Sequence, residues 1–377
     1  MINQSYKICT RCVMDSSDPS ISFNQQGECN LCTEFIEKRA KHNYHGFKSD
    51  EEFKKLIATM KLAGKGKKYD CVVGLSGGVD SSYVAYLCKK NGLRVLAAHM
   101  DNGWNSNEAV QNIENIARKL DIDYESYVLD WEEFKDLQLA FLKASVPEAE
   151  TPTDIALLAA VHQVANKHGI KYVISGGNFA TEGILPKFWH YNAKDIRYLK
   201  HIQKNFGTKP LRKFPFFGFA QEMYYKLFKG INIIYLLNYI PYHKNEAMEL
   251  LTKELDWKYY GGKHYESVYT GFIQSYYLVK KFGIDYRRAT LATQICTGET
   301  KREVALSELE KMSYQDEKAQ REMEYVAKKL SISVDELKRI INLPAKWYTD
   351  YPNDEKRLGY IYDTYRKWFK KDKLGNF

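Results

Sequence analysis

Ser76-Gly77-Gly78-Val79-Asp80-Ser81-Ser82 follows a short apolar run, Asp70 to Leu75, and opens a segment of helical spacing over residues 80 to 90. Small residues at such a junction let backbone N–H groups close on an anion, and the following helix points its positive end at the same place. The hydroxyls of Ser76, Ser81 and Ser82 add donors. The carboxylate of Asp80 would repel phosphate unless a cation stood between them, which implies Mg²⁺ beside it. No GxxxxGK[ST] sequence occurs, so the loop is not that of an ordinary P-loop ATPase. A bare Gly-Gly would do no more than join a strand to a helix, whereas seven such residues in strand-loop-helix context read as a phosphate site.

Outward from the loop the periodicity alternates. Arg94 to His99, Tyr124 to Leu129 and Lys171 to Ser175 read as strands. Asp154 to His168 reads as a helix, and Asn107 to Leu120 puts Val110, Ile113, Ile116, Ala117 and Leu120 on one helical face. This alternation predicts an α/β fold, a parallel sheet with helices on both faces. Polar and glycine clusters fall just after the strands: the loop itself, Asp101-Asn102-Gly103, Asp130, and Gly176-Gly177-Asn178. In open parallel sheets ligands bind outside the carboxyl ends of the strands, so the four clusters converge on one site.

The loop in this setting resembles that of the N-type ATP pyrophosphatases, which include GMP synthetase, asparagine synthetase, NAD synthetase and tRNA thiolases. The resemblance implies ATP held by Leu75, Ser76, Gly77, Gly78, Val79, Asp80, Ser81 and Ser82 together with Met100, Asp101 and Gly176. It also implies cleavage between the α- and β-phosphates, leaving an adenylated intermediate. Asp101 reads equally well as a turn aspartate.

The chain has 377 residues, 56 Lys and Arg against 47 Asp and Glu, and a net charge of +9. That length predicts two or three units. The basic excess is spread along the chain, so anionic small substrates fit at least as well as nucleic acid, and no nucleic-acid partner is expected. The expected division is a cysteine module (1–35), a helical connector (36–68), the nucleotide-binding domain (69–185), an aromatic- and glycine-rich elaboration completing the site (186–300) and a helical C-terminal region (301–377). Within the last, Ser333 and Glu336 form a capping box. No secretory pattern or membrane-length apolar run appears, so a cytoplasmic protein is expected. Ile231 to Ile240 is about half that length and reads as a buried helix or a membrane-surface contact.

Cys9, Cys12, Cys29 and Cys32 form two CxxC knuckles separated by residues 13–28, the spacing of a closed Cys₄ zinc site. A disulfide pair or redox dithiol is the rival reading. Four thiolates leave no open position, so the site is structural. Of the remaining cysteines, Cys71 lies in the first strand and Cys88 on an apolar helix face, both core positions, while Cys296 could approach the site.

Cys9-Thr10-Arg11-Cys12-Val13-Met14-Asp15, Gly27-Glu28-Cys29-Asn30-Leu31-Cys32, the loop, Gly176-Gly177-Asn178 and Trp257-Lys258-Tyr259-Tyr260-Gly261-Gly262-Lys263-His264 together resemble, in this order and over most of the chain, the N-acetyl sugar amidotransferases of bacterial surface-polysaccharide synthesis. The resemblance implies conversion of a sugar acetamido group to an acetamidino group, on a nucleotide-linked sugar. No cysteine here has a glutaminase setting and the sequence starts Met1-Ile2, so ammonia is expected from a partner, which the resemblance implies is a separate glutaminase and cyclase-like pair. Cations must then meet the charge on pyrophosphate, with Lys213, Arg287, Arg288, Lys301 and Arg302 as candidates. Asn178 and Glu182 could orient the acceptor or ammonia, or simply cap a loop, and His264 and Tyr265 could stack on a sugar or base. Two other readings stay open: a tRNA-modifying thiolase, which lacks obvious free thiols, and a zinc-ribbon nucleic-acid-binding module carrying a degenerate nucleotide fold.

Overall fold

Cys71-Val72-Val73 and Val95 to Met100 are buried on both faces, which strands tolerate only under two layers of helix. The computed structural model, which describes residues 6–42, 47–262, 265–311, 313 and 316–369, has that layering. Strands β1 (Cys71–Gly74), β2 (Val95–Asp101), β3 (Asp123–Val128), β4 (Tyr172–Ser175) and β5 (Asn232–Tyr235) form one parallel sheet in the order β3-β2-β1-β4-β5. The first helices are α1 (Asn30–His42), α2 (Phe47–Ala63), α3 (Val79–Lys90), α4 (Asn107–Lys119), α5 (Trp131–Ala144) and α6 (Thr151–Lys167). Cys71 and Val73 pack with Val84 and Ile113 of α3 and α4, while Val72 packs with Val161 and Val164 of α6. Ser106 and Asp130 cap α4 and α5 by accepting from Ala109 N and Glu133 N.

The chain leaves β1 for β2 on one side, whereas β4 lies on the other. The loops after β1 and β4 therefore flank the crevice where the strand order reverses, the usual ligand position in such sheets.

The segment 231–240 is not a helix. It supplies the edge strand β5 and a 3₁₀ turn, Leu236–Tyr239. Ile231, Leu236 and Leu237 are buried as expected, but a short apolar run carries no periodicity that separates strand from helix. The boundary expected at residue 35 is crossed by α1, and the four clustered cysteines share one core with Phe134, Tyr269 and Leu337. The C-terminal region is helical, through Arg302–Glu310, Asp316–Leu330, Val334–Ile341 and Glu355–Phe369. Ser333 accepts from Glu336 N at 3.1 Å. Among the described residues, no helix is long and apolar enough to cross a membrane.

Candidate functional site

The phosphate loop is fixed by contacts that only its own small residues allow. Gly77 sits at φ +80°, and a Cβ there would stand 2.4 Å from Ala109 O, so no other residue fits without moving α4. Ser76 N donates to Ser81 Oγ at 3.2 Å and Gly78 N to Ser76 Oγ at 3.3 Å. Ser82, fully buried, donates to Gly78 O at 2.6 Å. Its hydroxyl, expected to face phosphate, shapes the loop instead. Leu75 and Val79 are buried at the loop's two ends.

Three segments distant in sequence roof this loop. Trp257 Nε1 donates to Gly77 O at 3.0 Å, and buried Asn112 of α4 ties Gly77 O to Lys258 O through its Nδ2. Val79 N donates to Tyr260 OH at 3.3 Å. A Cβ on Gly78 would meet Glu266 Oε1 at 3.2 Å and Tyr260 OH at 3.3 Å. Tyr242 donates to Asp80 Oδ1. Glu299 feels the charge of Asp80, although burial is the main cause of its raised pKa. Tyr242, Glu266, Asn112 and Glu299 carry no motif, and Tyr260 stands in the quoted stretch Trp257 to His264 without a role of its own, so the sequence reading named none of them as site residues.

At the strand ends, Gly176 lies against the start of α3, since a Cβ would come 2.8 Å from Ser81 N. This brings the β4 loop onto the phosphate loop. Asn178 is fully buried and caps the helix Phe179–Glu182, accepting from Thr181 N at 2.8 Å and donating to Gly176 O at 3.2 Å. Its amide is therefore a structural cap, with Glu182 in the turn it starts. Met100 is buried, and Asp101 accepts from Gly103 N at 2.9 Å as a turn aspartate does. Asp101 also lines a groove of about 470 Å³ between α4 and the sheet, with His99, Asn105, Val110, Tyr124 and Ser126. Burial lowers the His99 pKa and keeps the ring neutral, with Nδ1 on Leu75 O at 2.9 Å and Nε2 facing Asn105 Nδ2.

The cations expected at pyrophosphate have other partners. Lys213 pairs with Asp130 at 2.7 Å, and Arg287 with Asp285 at 2.7 Å. Arg288 reaches Asp15 at 3.1 Å and Val13 O at 2.6 Å, and Arg302 donates to Cys9 O and Cys12 O at 2.8 and 3.0 Å. Both arginines therefore clamp the cysteine module, because the helix Tyr286–Thr297 and the turn after it run alongside that module. Lys301 is exposed at the start of the helix Arg302–Glu310. Tyr265 donates to Ser275 Oγ at 3.0 Å and carries Lys318 over its ring at 3.6 Å, while His264 lies outside the described residues.

The sulfurs of Cys9, Cys12, Cys29 and Cys32 lie within 4.8 Å of one another, all fully buried. Cys9 Sγ is 3.7 Å from Cys32 Sγ, and Cys12 Sγ 3.6 Å from Cys29 Sγ. Tetrahedral coordination with bonds of about 2.3 Å places sulfurs about 3.8 Å apart, so the residues fit one thiolate-bound ion. Backbone N–H groups of Cys12, Met14, Cys29 and Cys32 point at the sulfurs, as anionic ligands require.

Residues 54–181 match the NAD synthase family model, and residues 266–367 match the model described as LPS biosynthesis protein WbpG-like, C-terminal domain. The fold and the loop define a nucleotide-binding protein of the PP-loop class. Residues 266–367 are similar to the WbpG-like C-terminal domain, in line with the resemblance to the sugar amidotransferases. The uncharacterized protein MJ1599 of Methanocaldococcus jannaschii is 25% identical over 309 residues, covering 80% of this chain and 93% of its own. A probable mitochondrial tRNA-specific 2-thiouridylase of Caenorhabditis elegans is 28% identical over 162 residues, 39% of this chain and 41% of its own. The U34-tRNA thiolase NcsA from Methanococcus maripaludis, solved with its [4Fe-4S] cluster, covers 79% of this chain and 88% of its own at 14% identity and a TM-score of 0.33, too low to carry an argument.

Proposed function

We propose that this chain is an ATP-dependent amidotransferase acting on an N-acetylated, nucleotide-linked sugar for surface polysaccharide. The loop Leu75 to Ser82 would hold ATP, with Mg²⁺ at Asp80, and Zn²⁺ would sit on Cys9, Cys12, Cys29 and Cys32 as a structural ion. An amide oxygen is a poor leaving group. Adenylation at the α-phosphate releases pyrophosphate and makes that oxygen part of AMP, which ammonia then displaces as the new C–N bond forms. The bound nucleotide supplies the leaving group, and this chain's residues position the acceptor and exclude water.

One observation carries the reading: the WbpG-like segment begins at Glu266, and Glu266 lies against the phosphate loop. This contact supports a reading in which the WbpG-like segment contributes to the nucleotide crevice. Ammonia would be supplied by a separate glutaminase and cyclase-like pair. Purified chain with ATP, ammonium chloride and a panel of UDP-N-acetylhexosamines should form AMP and pyrophosphate. Release of ADP and orthophosphate, or glutamine hydrolysis by the chain alone, would refute it.

The thiolase reading has support from the 2-thiouridylase relative. Against it, Cys71 and Cys88 are fully buried and Cys296 points toward Cys32 of the metal cluster. Transfer of sulfur to a tRNA transcript would favour that reading over ours.

A further inference from the structure

Helix α6 delivers the chain to β4 within a few residues, so its N-terminus stands at the carboxyl edge of the sheet. Glu148 and Glu150 precede it and Asp154 lies in its first turn. Thr270 Oγ1 donates to Glu150 Oε2 at 2.6 Å. Glu150 Oε1 is closed to solvent with no described partner, and so is Glu148 Oε1, whose residue is 5% exposed. The charges that act on Glu150 come from Asp154 and Glu266, both negative. Glu266 in turn abuts Gly78, so enclosed carboxylates lead from α6 to the phosphate loop.

A buried carboxylate without a counter-charge is costly, and the cost is relieved either by a proton or by a cation. Divalent ions need several oxygens and ordered water. Around Glu150 the helix Val268–Phe272 presents Thr270 and Tyr269, and the helix Tyr286–Thr297 presents Tyr286. The hydroxyls of Tyr269 and Tyr286 already face Ala149 O and Trp189 O, so the surroundings of Glu150 offer few free oxygens and suit a small monovalent nitrogen cation better than a divalent ion.

We propose that Glu150, with Glu266 between it and the phosphate loop, holds an ammonium ion and takes its proton, releasing ammonia beside the adenylated oxygen. The role rests on the amidotransferase reading. One N–H bond breaks and one O–H bond forms at Glu150 Oε1, the lone pair stays on nitrogen for attack, and the proton returns to solvent with product. Burial pushes Glu150 up to about 8, bringing its proton affinity toward that of ammonia.

Two measurements test the site. Melting the purified chain in ammonium chloride, against potassium chloride at equal ionic strength, should give an ammonium-selective rise in Tm that Glu150→Gln abolishes. An equal response to both salts, or an unchanged response in the variant, overturns the proposal. AMP release is then compared with ammonium and with hydroxylamine, which is uncharged at neutral pH and needs no base. Glu150→Gln should lose about 10²- to 10⁴-fold with ammonium and retain most activity with hydroxylamine, and Glu266→Gln should show the same split should Glu150→Gln not fold. Equal losses with both nucleophiles defeat the role of Glu150. Wild-type protein that makes no AMP with either defeats the amidotransferase reading instead, whatever the melting shows.

Discussion

Tyr242 donates its phenolic hydrogen to Oδ1 of Asp80 across 162 positions of sequence. Burial and the neighbouring Asp80 charge both raise the pKa of this phenol, so it stays protonated and keeps donating. The bond fixes the direction of the one loop carboxylate expected to hold Mg²⁺. Tyr242→Phe keeps the packed ring and should cost about 1.5–3 kcal/mol of stability, the range of a hydrogen bond to a charged group, while AMP formation falls by about 10- to 100-fold through misplacement. Asp80→Ala strands the buried Tyr242 hydroxyl, so it should cost about 1–3 kcal/mol of stability as well as abolish turnover. Steady-state kinetics beside thermal melts would separate the two, and full activity in Tyr242→Phe would remove the phenol from the site.

Arg302 braces two carbonyls of the cysteine module. Arg302→Ala should therefore destabilise the chain by about 1.5–3 kcal/mol, the range of a hydrogen bond to a charged group, and leave KM for ATP unaltered. Elemental analysis of freshly purified protein should find about one zinc per chain, and Cys29→Ser should lose both metal and solubility. A rise in KM without loss of stability in Arg302→Ala would return this residue to the nucleotide.

At Gly77 the left-handed φ and the approach of Ala109 O act together. Gly77→Ala should cost about 1–3 kcal/mol from backbone strain alone and displace the loop from α4. Urea unfolding and nucleotide titration would read both effects. Wild-type stability in this variant would contradict the geometry.

Burial pushes the Glu148 carboxyl up to about 7, and that of Glu150 to about 8. The folded chain then binds these protons more tightly than the unfolded chain, whose carboxyls titrate at about 4.3. Their contribution is fully present below that value and is lost as pH rises through about 7 to 8. In the absence of ammonium, Tm should decline over that window, and Glu148→Gln should flatten the decline. A Tm that climbs from about pH 5 to 8 with no effect of Glu148→Gln would show these carboxyls are ionised.

The layered sheet was legible because β1, β2 and their helices announce themselves locally, through buried runs, helical spacing and caps such as Ser106. The loop was legible for the same reason, with every residue from Ser76 to Ser82 adjacent in sequence. What roofs it was not. Tyr242, Tyr260 and Glu266 reach the loop only after the chain has folded around the sheet, and a tyrosine or glutamate carries no sign of its destination. The arginines misled because a guanidinium serves a carbonyl cluster as readily as a phosphate. Segment 231–240 misled because an apolar run takes its conformation from its neighbours, here the open edge of β4.

The clamp on the cysteine module also orders events in time. Cys9 to Cys32 is made first, yet the groups that seat it, Arg288 on Val13 O and Arg302 on Cys9 O, are 275 and 293 positions away. Contacts of such separation form late. While the ribosome synthesises the rest, the knuckles must stand undocked, held by local bonds such as Cys9 N to Met14 O and Thr10 N to Gly27 O and by an ion that the four thiolates would bind. Capture of such an ion would therefore precede the docking of the module.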